Sequence, residues 1–288
     1  GGRGASTNEG ESAISTTPIL HKPTSQILKA EQLSLSKILA ATLSSLEGKC
    51  TLSSTLLLSI PGNNNNNSNN SEGNQEMDAA IMDGKTLNAG AVSLISGIKN
   101  PVGLARDVME KSEHVFLAGE GAMQFAKQLD YKIEDAQYFY DEFRHKQWLE
   151  IKDTDSFQLD HATKKDSKFG TVGAVACDQE GNIAAATSTG GMTNKKWGRV
   201  GDSPMIGAGN YANNKTCAIS CTGSGEFFIR GVVAYDVACL MEHKGLSLQE
   251  ASNEVINKRI LDNFCACLTY SDNRANQWCP FQSSCVAG

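Results

Sequence analysis

Gly170-Thr171-Val172-Gly173-Ala174-Val175 follows a polar run and admits two readings. One is a glycine turn entering a buried strand, and the hexapeptide taken alone favours it. The other makes Thr171 a nucleophile that exists only after the Gly170–Thr171 peptide bond is cut. A threonine hydroxyl is a poor nucleophile at neutral pH. At a new chain terminus, Thr171 would also carry a free α-amine, whose reference pKa of about 8 lets it serve as the adjacent base. Branching at Cβ stiffens χ1 and helps fix the hydroxyl.

What surrounds this stretch decides between the two. Downstream come Thr187-Ser188-Thr189-Gly190-Gly191-Met192, Asn194-Lys195 and Gly198-Arg199-Val200-Gly201-Asp202-Ser203-Pro204. Gly207-Ala208-Gly209-Asn210-Tyr211-Ala212 and Thr222-Gly223-Ser224-Gly225-Glu226 complete the series. Upstream stand Glu76-Met77-Asp78-Ala79-Ala80-Ile81-Met82-Asp83-Gly84, Gly90-Ala91-Val92-Ser93 and Ile98-Lys99-Asn100-Pro101. On these motifs, residues 76–112 and 166–258 resemble the plant-type asparaginases, also called isoaspartyl peptidases, of the N-terminal-nucleophile hydrolase superfamily. The polar stretch between the two blocks matches only in position.

The resemblance implies an α+β fold, a four-layer αββα sandwich, here incomplete at both ends. It implies self-cleavage at Gly170–Thr171, then hydrolysis of the side-chain amide of asparagine or of β-aspartyl dipeptides. Such a substrate is small and carries a free α-amine and α-carboxylate. Arg199 is the candidate for the carboxylate, since a guanidinium grips carboxylates as a fork. Asp202 is the candidate for the ammonium, and Val200 and Gly201 belong to the same binding stretch. A surface ion pair between Arg199 and Asp202 is the competing reading. Thr222 and Gly223, set before a helix start, are candidates for stabilising the oxyanion. Ser224 and Gly225 are expected to contact substrate, Gly225 through its backbone. Thr189 resembles the family's second threonine, which orients the nucleophile. No cofactor and no metal are implied, and relatives pair as dimers of processed units. Relatives also place an Asn near the nucleophile and a sodium-binding loop upstream, for which this sequence offers no position. Aspartylglucosaminidase, which shares fold and nucleophile, and an inactive, unprocessed member of the family are the alternatives.

Composition narrows the partners. The chain has 288 residues and a formal net charge of −6, without basic clusters, so neither nucleic acid nor an anionic membrane is expected. No apolar run approaches the roughly 20 residues of a membrane span. A cytoplasmic location is expected. Cys177, Cys217, Cys221 and Cys239 sit in apolar segments and read as small core residues. Cys265, Cys267, Cys279 and Cys285 crowd the end, in a spacing unlike a zinc site.

The organisation expected is a divergent segment over 1–75, the remainder of an α chain over 76–170, a β chain over 171–259 and a divergent tail over 260–288. Gly1-Gly2-Arg3-Gly4 lacks an initiator Met and reads as the start of a fragment. Residues 11–75 interrupt the pattern, either as a regulatory insertion or, the favoured reading, as translated intron. A helix is expected over 27–46, and the Asn-rich tract from Gly62 to Ser71 cannot bury apolar surface. The tail offers no obvious strands, so open sheet edges and poor folding are expected.

Strands are expected over 76–81, 89–98, 171–177, 182–187 and 217–221. Asn100-Pro101 should open a helix whose buried stripe is Leu104, Ala105, Val108 and Met109. Further helices are expected over 119–129 and 134–149. An uninterrupted buried helix is expected over 225–243, ended by Gly245. Ser247 and Glu250 form a capping box for the last helix.

Overall fold

The computed structural model describes residues 69–154, 171–178, 180–259, 265–272 and 282–285. The expected helix over 27–46, the polar segment beyond 154 and Gly170 lie outside them. Two sheets are present among the described residues. The first has strand order β3-β2-β1-β5-β4, formed by Phe116–Ala118, Ala89–Ile95, Met77–Asp83, Ile183–Thr189 and Thr171–Cys177. The second has order β6-β7-β8-β9, formed by Asn210–Ala212, Cys217–Gly223, Cys265–Asp272 and Gln282–Cys285. The helices are α1 (Pro101–Lys111), α2 (Gly119–Gln128), α3 (Glu142–Ile151), α4 (Gly225–Gly231), α5 (Val233–Lys244) and α6 (Leu248–Glu254). None is long and apolar enough to cross a membrane. The fold is therefore mixed α/β.

β1 shows why the residues segregate as they do. It is paired on one edge with β2 and on the other with β5, and an apolar cluster packs on each of its faces. Side chains alternate along a strand. Ala79 and Ile81 join an apolar cluster with Val102, Leu104, Ala105 and Val108 of α1 and Ala122 and Ala126 of α2. Met82, on the other face, joins a second cluster with Ala185, Ala212, Ala218 and the α5 residues Val233, Ala234 and Val237. The Asn100 side chain accepts the Gly103 N–H at the start of α1, as its sequence predicts. Gly245 in the left-handed region ends α5, and the Ser247–Glu250 capping box opens α6. Cys177, Cys217 and Cys221 are buried in an apolar cluster, which bears out their reading as core residues, whereas Cys239 is only half-buried.

Three expectations are corrected. The helix expected over 134–149 is a 3-10 turn, Ala136–Phe139, followed by α3. Asp135 accepts the Gln137 N–H and Asp141 accepts the Arg144 N–H, so each aspartate caps a new start, and Tyr140 and Asp141 between the two helical pieces are extended. The helix expected over 225–243 breaks at Val232, which adopts φ 47 and ψ 47. The cause is tertiary: the first N–H groups of α5, from Ala234 and Tyr235, donate to the carbonyls of Ala208 and Gly207.

The tail supplies strands after all. β8 pairs with β7 from Cys217↔Asp272 to Gly223↔Ala266. Leu268 and Tyr270, two apart, face the second apolar cluster, which is the driving force for that pairing. The end of the Asn-rich tract is also part of the fold. Asn69 and Asn70 are buried. They bury amides rather than apolar surface: Asn70 Oδ1 accepts the N–H groups of Glu72 and Asn74, and the Asn194 N–H donates to the Asn69 carbonyl.

Candidate active site

Thr171 is the first residue of β4. Cα register places Asp78 of β1, Thr189 of β5 and Thr171 of β4 in one row across three strands. Residues opposite one another in antiparallel strands project from the same face. The two threonines meet there, with Thr171 Oγ1 donating to Thr189 Oγ1 at 3.1 Å. The Gly191 N–H donates to Thr189 Oγ1 at 3.0 Å, fixing the second hydroxyl in turn. Gly170, the other half of the expected cleavage site, lies outside the described residues.

Thr222 and Gly223 close β7, so they belong to the second sheet. Sequence spacing puts them in a turn before a helix; the structure pairs them with Cys267 and Ala266 of β8 as the last two residues of a strand. Thr222 Oγ1 is buried and has no hydrogen-bond partner. Ser224 and Gly225 follow, Gly225 being the first residue of the seven-residue helix α4.

Arg199, Val200, Gly201 and Asp202 lie on the loop between β5 and β6. Arg199 does not pair with Asp202. Its guanidinium forks on Glu226 of α4, Nε to Oε1 at 2.8 Å and Nη2 to Oε2 at 3.0 Å. Burial pushes the Glu226 carboxyl up, but the Arg199 fork more than offsets it and holds the group below its usual range. Asp202 is 5% exposed and its Oδ2 has no hydrogen-bond partner. Burial raises its pKa to about 7, against the opposing pull of its backbone hydrogen bond and the nearby Arg199.

Close backbone approach holds this loop. A Cβ on Gly225 would lie 2.8 Å from Asp202 Oδ1 and 3.0 Å from Arg199 Nη2. A Cβ on Gly209 would lie 2.2 Å from the Asp202 carbonyl oxygen. The structure thus brings Thr171 and Thr189 together, and separately gathers Arg199, Asp202 and Gly225.

Three charged residues had no role assigned from sequence. Glu226 is one. Asp78 is another: it is fully buried, and its Oδ1 accepts the Leu94 N–H at 3.0 Å. A β-bulge in β2, with Leu94 at φ 54, turns that N–H towards it. Burial raises the Asp78 pKa, with Lys195 opposing. Lys195 is the third; its side chain is 1% exposed and its Nζ lies 3.4 Å from Glu76 Oε2. An acid inside the apolar run Met77-Asp78-Ala79-Ala80-Ile81 was the available signal.

Comparison with known proteins bears on this geometry. Residues 64–266 match the protein family described as Asparaginase. The isoaspartyl peptidase of Escherichia coli (strain K12) is 52% identical over 188 residues, covering 64% of this chain and 59% of that protein. The isoaspartyl peptidase of Salmonella typhimurium is 50% identical over 192 residues, covering 66% and 61%. The isoaspartyl peptidase/L-asparaginase of Rattus norvegicus is 48% identical over 182 residues, covering 63% and 54%. The chain thus spans about three-fifths of the length of the bacterial relatives.

Proposed function

This chain belongs to the asparaginase family, and from that premise we propose that the protein is an amidohydrolase cleaving the side-chain amide of L-asparagine and of β-aspartyl dipeptides, matured by autocleavage at Gly170–Thr171. The observation that carries this reading is the Thr171–Thr189 hydroxyl contact of 3.1 Å at the very start of a strand. A strand-opening threonine with an oriented hydroxyl is what an N-terminal nucleophile requires. The family's relatives named above are isoaspartyl peptidases, which supports the substrate class.

In maturation, Thr171 Oγ attacks the Gly170 carbonyl carbon. The Gly170–Thr171 C–N bond breaks, the nitrogen takes up the hydroxyl proton, and an ester joins the two halves. Water then hydrolyses the ester and leaves Thr171 with a free amine. In turnover, that amine accepts the Thr171 hydroxyl proton as Oγ attacks the β-carbonyl carbon of the substrate. The proton passes to the departing ammonia or amino acid. Water resolves the acyl-enzyme and releases aspartate. Thr189 orients the attacking hydroxyl. Thr222, whose buried Oγ1 has no partner, and Gly223 serve the oxyanion.

The binding half follows from charge. The unpartnered Oδ2 of Asp202 suits the substrate ammonium. Arg199 takes the α-carboxylate with Val200, Gly201, Ser224 and Gly225 around it; the carboxylate shares or replaces the Glu226 fork. We read the architecture as an αββα sandwich. Helices α1 and α2 cover one face of the first sheet, and the apolar cluster joining both sheets also takes in α5 and α6, in support.

The test is hydrolysis of asparagine and β-aspartyl dipeptides by the purified protein and by a Thr171→Ala variant. The unaltered protein should release aspartate and the variant none. Hydrolysis by the Thr171→Ala variant at an undiminished rate would overturn the assignment.

A further inference from the structure

The nucleophile and the oxyanion group stand on different sheets, Thr171 on β4 and Thr222 on β7. Their separation is set by how the two sheets pack. Sheet-on-sheet contact through apolar side chains tolerates small shifts, while catalysis does not: a misplacement of about 1 Å can cost on the order of a hundredfold. Something specific should hold the gap.

The layer directly beneath the site does so. Residues two apart on a strand share a face. Two below Thr171 is Gly173, two below Thr189 is Thr187, and two below Thr222 is Ser220. Gly173 pairs with Thr187 in the first sheet, and Ser220 pairs with Asn210 in the second. These four meet across the gap. Thr187 Oγ1 and Ser220 Oγ are 2.7 Å apart and both are buried. The Thr187 hydroxyl lies 3.2 Å from the Gly209 carbonyl oxygen and 3.0 Å from the Asn210 side-chain amide. The Cys221 N–H donates to that same Gly209 carbonyl at 2.9 Å. A Cβ on Gly173 would lie 2.0 Å from Ser220 Oγ, so only glycine lets the serine approach. Gly209 in turn is pressed against the Asp202 backbone.

One layer further down the gap is apolar, with Met82, Ala185, Ala218 and Val175. Valine and alanine would fill the places of Thr187 and Ser220 with no hydrogen-bonding demand. Buried hydroxyls bring such a demand, and satisfying it admits one register and one spacing.

We propose that Thr187 and Ser220 are positioning residues for the reaction: their hydroxyl contact sets the distance between the Thr171 strand and the Thr222 strand, and through Gly209 places the Asp202 loop. The inference rests on the proposed amidohydrolase function. It assigns no contact with substrate to either residue.

The experiment compares Thr187→Val, Thr187→Ser and Ser220→Ala with the unaltered protein. It measures kcat and KM on a β-aspartyl dipeptide, per Thr171 terminus counted by N-terminal sequencing, together with the self-cleavage half-time. Thr187→Val should lower kcat about 10- to 100-fold, with KM within roughly twofold, because geometry rather than binding is lost. Thr187→Ser should restore most of it. Ser220→Ala should lower kcat in the same direction, and its effect combined with Thr187→Val should be less than additive. An unchanged kcat in Thr187→Val, or a Thr187→Ser as impaired as the valine, would overturn the proposal. Should Thr187→Val fail to fold, an unchanged kcat in Ser220→Ala would do the same. If the unaltered protein cuts itself yet hydrolyses neither substrate, the proposed function falls. The self-cleavage half-times of the variants would still decide the role of Thr187, unchanged values counting against it.

Discussion

The two halves of the candidate site are built on opposite principles. The nucleophile half works through hydroxyls carried by paired strands: Thr171 and Thr189 are cross-strand partners, the Thr171 hydroxyl donates to the Thr189 hydroxyl, and the Gly191 N–H donates to the latter. The recognition half is charged and carried by a loop: Arg199 is forked on Glu226, while a buried Asp202 oxygen has no partner. A strand ladder fixes position without a ligand. A loop with a buried, unpartnered carboxylate is costly until a cation arrives. The first half is thus set for chemistry and the second for binding, and substitutions should separate the two.

The largest separation is expected from Arg199→Ala. Losing one partner of a desolvated charged hydrogen bond costs about 2–5 kcal/mol, so KM for a β-aspartyl dipeptide should rise roughly 30-fold or more. Self-cleavage, which has no free carboxylate to hold, should proceed near its normal rate. Steady-state kinetics on the processed protein, beside a gel of the time course of cleavage, checks both. Equal loss of both activities would erase the distinction between the halves.

Gly173→Ala and Gly225→Ala sharpen it. A methyl at 173 meets Ser220 Oγ between the sheets, and overpacking of that kind costs about 1–3 kcal/mol. Thermal melting should show the loss, with self-cleavage slowed. A methyl at 225 instead meets Asp202 and Arg199. That variant should self-cleave normally and bind substrate several-fold more weakly, read as KM.

A further expectation concerns pH. Burial raises the Asp202 pKa to about 7, which favours the carboxylic acid below that pH and the carboxylate above it. Only the carboxylate attracts an ammonium. As pH falls below about 7, binding must first expel a proton, and KM should rise by up to about tenfold per unit. Asp202→Asn should flatten that dependence while raising KM throughout. A pH series of KM from 5 to 8 on both proteins tells the outcomes apart, and an unaltered protein with a flat profile would count against Asp202 as the ammonium site.

The same contrast explains what was legible in the sequence. Short apolar runs exposed β1, β4 and β5, and Asn100-Pro101 and Ser247 with Glu250 announced helix starts that depend on neighbouring residues alone. The break at Val232 was hidden because carbonyls of Gly207 and Ala208, more than twenty positions away, impose it. β8 was hidden because the apolar pair Leu268 and Tyr270 is interleaved with polar and cysteine residues. In the site, the motifs named Thr171, Thr189, Arg199, Asp202 and Thr222. They could not name Glu226 as the partner of Arg199 or set Asp78 in the Thr171 row, since those facts arise from loop closure and strand register.

The central claim is that Thr171 becomes a chain terminus. N-terminal sequencing of the shorter fragment of the purified protein tests it most directly. The account predicts a fragment beginning Thr-Val-Gly-Ala-Val, absent from the Thr171→Ala variant. A Thr171→Ala variant that still splits at this bond, or a protein that hydrolyses β-aspartyl dipeptides while its chain stays whole, would contradict it.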